Sequence, residues 1–324
     1  MLLFLALLLL VIICSLSLIP NNNVKDRVLS AILDKHELLE NSDSPRIVLV
    51  GGSNVNMGLN SRQIQKSLGR TTVNASSNAG LGLKFMLADV EPRLREGDTL
   101  VVIPEFKQFT DGFHGGYSLT VTLVDIYPAG WKHLDFNQKV EIIPNLVKYA
   151  AEKLWTIGTI TQRTGNQTAV YSRATFNEFG DAEFHWDLKA RPFAASRLVT
   201  TAPELHSNAI PYLLEYKNRL EGNGINFVLL PPVIQSTSFD NQELLIERIV
   251  DELKQAGIPF AADCRRYKFD NSLFFDSPYH LLREGIDSRT KLIVEDLETL
   301  MTEFDFTNRG SEQKPTASRL RSQK

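Results

Sequence analysis

The sequence predicts an α/β fold, a flavodoxin-like three-layer α/β/α arrangement with a mostly parallel sheet, preceded by one N-terminal transmembrane helix. Three observations carry this expectation. Short runs rich in Val, Ile and Leu alternate with helix-length segments, those runs end in turns built from Gly, Asn and Pro, and residues 2–19 carry no charge. Such alternation is the pattern of parallel strands joined by helical crossovers.

The uncharged run at 2–19 is near the minimum for a membrane-spanning helix and long for a signal-peptide core. No basic residue precedes it, which favours an uncleaved anchor over a removed signal sequence. Residues 21–45 read as a juxtamembrane helix and linker, with Val24, Val28, Ile32, Leu33 and Leu39 at helical spacing. The α/β domain then spans 46–306. "RIVLVGG" is the first strand, Ser61 to Leu68 a helix, and "TTVNASSNAGLG" a short second strand with a glycine-rich turn. Lys84 to Arg95 is helical, Gly97-Asp98 a turn, and "TLVVIPEF" the third strand. From about 110 to 205 the rhythm fails, and a long insertion is predicted with some helix, including the amphipathic "VEIIPNLVKYAAEKLW". The rhythm returns with a helix from Ile210 to Glu221, "GINFVLLPPV" as fourth strand and a helix from Asn241 to Gln255. "IPFAADC" is the predicted fifth strand, and 286–304 the closing helix. The polar, basic tail at 307–324 is predicted to be disordered.

Composition removes several function classes. A net charge of -3 provides no basic face for nucleic acid. Cys14 lies in the apolar run, away from Cys264, and no Cys/His grouping has zinc-site spacing, so neither a structural disulfide nor a metal is expected. The first glycine turn lacks both GxGxxG and a phosphate-binding lysine, which argues against a nucleotide cofactor. Asn74 and Asn166 each open an Asn-x-Ser/Thr triplet.

Two stretches suggest chemistry. In "IVLVGGSNVNMGLNS" a buried strand runs into Gly51, Gly52 and Ser53. Glycines there can simply relieve a tight turn while Ser53 caps the next helix. Alternatively, Ser53 is displayed at the carboxyl edge of a parallel sheet, where open α/β folds place their working residues. In "FFDSPYHLLREGIDSRT", Asp276 precedes His280 in a loop that enters the last helix. A serine nucleophile needs a base, and the base a carboxylate to orient it, so Ser53, His280 and Asp276 form a possible triad.

The set "GGSN", "NAGLG", "LLPP" and "DSPYHLLREG" resembles the SGNH (GDSL-like) hydrolase superfamily, closest to its membrane-anchored branch in bacterial envelope and exopolysaccharide metabolism. The resemblance covers about 46–106 and 210–300. It implies Ser53 as nucleophile, His280 as base and Asp276 as its partner, with an oxyanion hole from the Ser53 N–H and Gly80 or Gly82, near Asn78. It also implies an esterase or O-acyltransferase, acetyl being the expected group, acting on an acylated polysaccharide or small acyl ester outside the cytoplasm. Lys25 and Arg27 after the apolar run oppose export by the positive-inside rule. No cofactor is implied. A glycan-binding or assembly protein of weak activity is the alternative. Three positions depart from the family pattern. Gly52 stands for the usual aspartate, Asp276 precedes His280 by four residues rather than three, and Glu105 occupies the strand end where many members carry asparagine. A buried, protonated Glu105 could donate to an oxyanion, whereas an ionised one would repel it.

Overall fold

Four short strands, β1 (Ile47–Gly51), β2 (Thr72–Asn74), β3 (Thr99–Ile103) and β4 (Asn226–Leu229), pair in parallel in the order β2-β1-β3-β4. The computed structural model describes residues 27–158 and 169–312, and Val11, Cys14 and Ile19 singly. Along the chain the helices are α1 (Ala31–Asn41), α2 (Ser53–Asn56), α3 (Ser61–Leu68) and α4 (Leu83–Val90), then α5 (Tyr117–Ile126), α6 (Phe136–Glu141) and α7 (Ile143–Gly158). They continue as α8 (Ala209–Gly222), α9 (Ser236–Asn241), α10 (Glu243–Gln255) and α11 (Arg283–Glu312).

All residues of β1, β2 and β3 are buried, as a parallel sheet covered on both faces requires. The period of two divides them between two cores. Val48, Val50, Leu100 and Val102 meet side chains of α1, α4, α8 and α10 on one face. Ile47, Leu49, Val101 and Ile103 meet Ile64 of α3 and Ile293 and Leu297 of α11 on the other. Local chemistry sets the limits of α3. The Asn60 side chain accepts from the Gln63 N–H at 3.1 Å, and Gly69, at φ 63°, ends the helix in the left-handed region.

The register of β1 against β3 rests on a buried ion pair. Arg46, fully buried just before β1, donates from Nε to Asp98 Oδ2 at 3.1 Å and from its backbone N–H to Asp98 Oδ1 at 3.2 Å. Asp98 immediately precedes β3 and also accepts from the Arg95 N–H at 3.0 Å. The amino ends of the two strands are thereby clamped, and Ile47 lies opposite Thr99.

Several expectations need correction. "IPFAADC" is not a strand. Its Ala261 N–H donates to Leu229 O at 2.8 Å, but Pro259 has no N–H for a ladder and Asp263 opens a 3₁₀ turn by accepting from the Arg265 N–H. A separate parallel pair, β5 (Ile234–Gln235) with β6 (Lys268–Phe269), follows instead. The helix expected over Asn241 to Gln255 is present as Glu243–Gln255, and a separate short helix, Ser236–Asn241, precedes it. The closing helix reaches Glu312, so 307–312 are helical rather than disordered; no proline interrupts the chain between Arg283 and Pro315. Residues 313–324 lie outside the described residues. Among the described residues no helix is long and apolar enough to cross a membrane, and the run at 2–19 expected to do so lies almost wholly outside them.

The insertion carries α5, α6 and α7 and is knitted to the domain. Buried Asp181 accepts from Ser61 Oγ, the Ser61 N–H and Asn74 Nδ2, each at 2.7 Å. Asn74 is therefore a buried, hydrogen-bonded amide in the folded chain rather than an accessible acceptor for glycan, and Asn166 lies outside the described residues. The helix α1, expected as a juxtamembrane element, packs Ile32 and Leu39 into the main core.

Asp98→Ala should cost roughly 3–5 kcal/mol, because it strands the buried Arg46 guanidinium without its counter-charge. Urea denaturation of wild type and variant measures this; a loss below about 1 kcal/mol, the range of an exposed ion pair, would contradict the clamp.

Candidate active site

After β1 the chain passes to β2 on one flank and then returns to β3 on the other. Side chains leaving the carboxyl ends of β1 and β3 consequently share the crevice at this change of direction. Ser53 follows β1 and Glu105 follows β3. Ser53 Oγ donates to Glu105 Oε1 at 3.3 Å, and the Asn54 N–H donates to the same oxygen at 3.4 Å.

Gly52 explains how the carboxyl group fits. A Cβ placed on Gly52 would sit 2.5 Å from Ala79 Cβ and 2.7 Å from Glu105 Oε1. No side chain can occupy position 52 while Glu105 and Ala79 hold theirs. Glu105 is buried, not solvent-facing, and its backbone N–H donates to Gln108 Oε1 at 3.0 Å. Gln108 Nε2 in turn reaches Ala79 O at 3.3 Å, tying the end of β3 to the glycine-rich loop. Burial pushes the Glu105 pKa up, offset in part by His280 and by the hydrogen bonds from Asn54 and Ser53. In the neutral acid Oε1 still accepts these bonds, while Oε2 carries a hydroxyl that can donate.

Asp276 and His280 come together in a closed loop. An antiparallel bridge joins Phe274 to Leu281, and the Phe275 N–H donates to His280 O at 2.8 Å. Ser277 Oγ accepts from the N–H groups of Tyr279 and His280, both at 3.2 Å, folding the intervening residues tightly. This turn absorbs the extra residue, and His280 Nδ1 lies 2.8 Å from Asp276 Oδ1. A proton on Nδ1 facing the carboxylate leaves Nε2 as the basic nitrogen. The other carboxylate oxygen accepts from Tyr171 OH at 2.5 Å. Burial pulls the Asp276 pKa up, but the bonds from His280 and Tyr171 outweigh it and hold the carboxyl below its ordinary value.

The two halves meet through the backbone: the Leu281 N–H donates to the carbonyl of Met57, one turn beyond Ser53, at 3.2 Å. Glu105 also feels the charge of His280. Ser53, Glu105 and His280 therefore share one neighbourhood, with the serine hydroxyl donated to Glu105 rather than to His280. Cavities of about 490 Å³ beside Asp34 and Phe176 and about 840 Å³ beside Pro211 and Arg248 border none of these residues. The cluster lies at the carboxyl edge of the sheet, with the His280 and Asp276 side chains 11 and 13% exposed.

The expected oxyanion donors need revision. The Gly80 N–H is already given to Asn78 Oδ1 at 2.8 Å, and the Gly82 N–H to Ala79 O at 3.1 Å. Gly82 serves the backbone: it lies at φ 86°, and a Cβ there would meet Gly115 N at 2.4 Å. Other donors stand beside the crevice. The Ser53 N–H has no acceptor among the described residues, and neither has Nδ2 of exposed Asn78, whose loop is joined to β1 by the Ser77 N–H to Gly51 O bond of 3.1 Å.

Three further residues escaped the sequence reading. Arg289, fully buried on α11, donates to Asn54 O, to Asn54 Oδ1 at 3.0 Å and to Gly58 O at 3.4 Å, and so braces the turn that carries Ser53. Burial lowers its pKa, with Tyr267 and Glu105 opposing that effect. His185 Nε2 contacts Met57 O at 3.0 Å, and burial drops the His185 pKa to about 4, so this ring is neutral at pH 7. Tyr171 is the third. Each lies in an aperiodic stretch or on a helix face where its residue type carries no signal of its own. Comparison with family models, curated proteins and solved structures returns no significant match.

The raised pKa of Glu105 predicts a stability dependence of definite sign. The folded state binds this proton more tightly than the unfolded chain does, so stability from this site is full below the ordinary carboxylate pKa and declines as pH rises to the raised value. Glu105→Gln removes that decline. Urea unfolding at a series of pH values should show the variant gaining on wild type as pH rises from 4 towards 8, and parallel profiles would contradict a buried, proton-holding Glu105.

Proposed function

We propose that the chain is an SGNH-type serine esterase or O-acyltransferase on a flavodoxin-like α/β/α scaffold. Its substrate is an acyl ester, acetyl on an envelope or secreted polysaccharide being the class the motif resemblance favours. The observation that carries the reading is the loop holding His280 against Asp276 and hydrogen-bonded to the Ser53 turn, at the carboxyl edge of the sheet. The strand order agrees with a flavodoxin-like sheet lacking its fifth strand. The resemblance also favours an anchor at residues 2–19 and a domain outside the cytoplasm.

In this mechanism the substrate carbonyl enters between Ser53 and Asn78. The Ser53 hydroxyl turns from Glu105 to His280 Nε2, which takes its proton as Oγ attacks the carbonyl carbon. Asp276, fixed by Tyr171, stabilises the resulting imidazolium. The Ser53 N–H and Asn78 Nδ2 face the developing oxyanion, and neutral Glu105 contributes its Oε2 hydroxyl. His280 returns the proton to the leaving alcohol. Water or a sugar hydroxyl then resolves the acyl-enzyme by the reverse sequence. Tyr171 and Arg289 are positioning residues, since they act through Asp276 and Asn54.

A second reading is a glycan-binding protein that retains this architecture. The Ser53–Glu105 bond favours it, because a hydroxyl committed to Glu105 is not poised for transfer to His280.

Turnover of aryl and sugar acetate esters separates the two readings. Ser53→Ala and His280→Ala should each lower kcat by at least about 10³-fold. Glu105→Gln keeps a neutral donor and should retain most activity, whereas Glu105→Ala should lose roughly 100- to 1,000-fold. Wild-type turnover no faster than Ser53→Ala across these esters would support the binding protein.

A further inference from the structure

The helix α7 is apolar on two sides. At 3.6 residues per turn, Leu146, Tyr149, Ala150 and Lys153 form the side packed towards α5, where Tyr149 OH and Lys153 Nζ reach Asp125 at 2.9 and 2.7 Å. Ile143, Leu154 and Trp155 fall on an arc of about 120° on the outer side, and they are 51, 41 and 76% exposed. The short α6 continues the surface with Phe136 and Val140, which are 78 and 48% exposed, and Trp131 stands beside them in the preceding turn. A surface helix ordinarily presents charge on its outer face. Here Lys148 and Glu152 only border the apolar arc. An exposed apolar surface of this kind marks an interaction site.

The path of the chain identifies what covers it. Residues 2–19 carry no charge, and residues 20–26 can span no more than about 30 Å to Arg27 even when extended. Arg27 forms a bridge with Ser172 of the insertion, and the turn that follows it packs against α5, which also carries α7. A bilayer holding residues 2–19 therefore lies nearest the insertion. Tryptophans with an apolar body and a polar N–H favour the membrane–water interface, and Trp131 and Trp155 are the two exposed ones.

We infer that the outer face of α6 and α7 lies in the interfacial layer of the membrane, so that the protein rests on lipid at the insertion as well as being tethered at its amino terminus. This inference rests on the proposed anchoring of residues 2–19. A second copy of the chain is the competing occupant, and it would bury the same side chains against protein rather than acyl chains.

The full-length chain reconstituted in phosphatidylcholine vesicles tests the inference, with co-flotation measured first and Trp emission compared between ordinary and acyl-chain-brominated lipid. Brominated lipid should quench wild-type emission. Trp155→Phe should lose part of that quenching and Trp131→Phe combined with Trp155→Phe most of it, whereas Trp186→Phe, which removes a buried indole, should keep it. Co-flotation with equal emission in the two lipids would overturn the lipid-facing assignment while leaving the anchor intact, and cross-linking through position 155 between chains would then identify the second copy. Failure to co-float would overturn both the anchor and this face.

Discussion

The arrangement depends on a steric exchange at the carboxyl ends of β1 and β3. Glu105 can enter the crevice only because Gly52 has no side chain, and Gly52 cannot be replaced while Glu105 and Ala79 stand where they do. The Arg46–Asp98 clamp at the opposite ends of these strands keeps the two positions opposed. Burial raises the Glu105 pKa against the opposing pull of His280, Asn54 and Ser53, which shifts the balance towards the neutral carboxyl group, the form that can donate a hydrogen bond. One glycine thus makes room for the carboxyl group, and the burial that follows raises its pKa.

Around this exchange, buried polar groups hold the Ser53 turn from several directions. Arg289 secures Asn54 from α11, and His185 and Leu281 contact the Met57 carbonyl. Below them Lys35 of α1 donates to Asn56 Oδ1 and to Ser76 O at 2.5 Å, with its ammonium 4.6 Å from the centre of the Phe176 ring. Burial lowers the Lys35 pKa to about 7, Asp181 and Asp34 opposing that fall. Such groups are costly to bury unless hydrogen-bonded, and their concentration under a four-residue helix ties its geometry to three distant parts of the chain.

The parallel sheet was legible in the sequence because strands buried on both faces read as continuous apolar runs, and β1 and β3 do so without ambiguity. The fifth strand misled because "IPFAADC" has the composition of a strand while Pro259 and Asp263 give it a turn's chemistry. The placement of Ser53, Asp276 and His280 on one edge followed from strand ends and loop order. Their partners did not, since Tyr171 and His185 come from an insertion without period, and Arg289 sits on a helix whose pattern only predicts burial or exposure. Gly80 and Gly82 looked like donors by residue type, yet the direction of an N–H depends on backbone angles that composition does not reveal. The exposed face of α7 was hidden for a related reason: an amphipathic pattern shows that one face is buried, not what the other face meets.

The most direct test of a reactive serine in this setting is covalent labelling of the full-length protein by a fluorophosphonate, read by intact mass and peptide mapping. The site described here predicts a single adduct on Ser53, formed more slowly when His280 is replaced by alanine. An unlabelled protein, or an adduct on any other serine, would contradict the account.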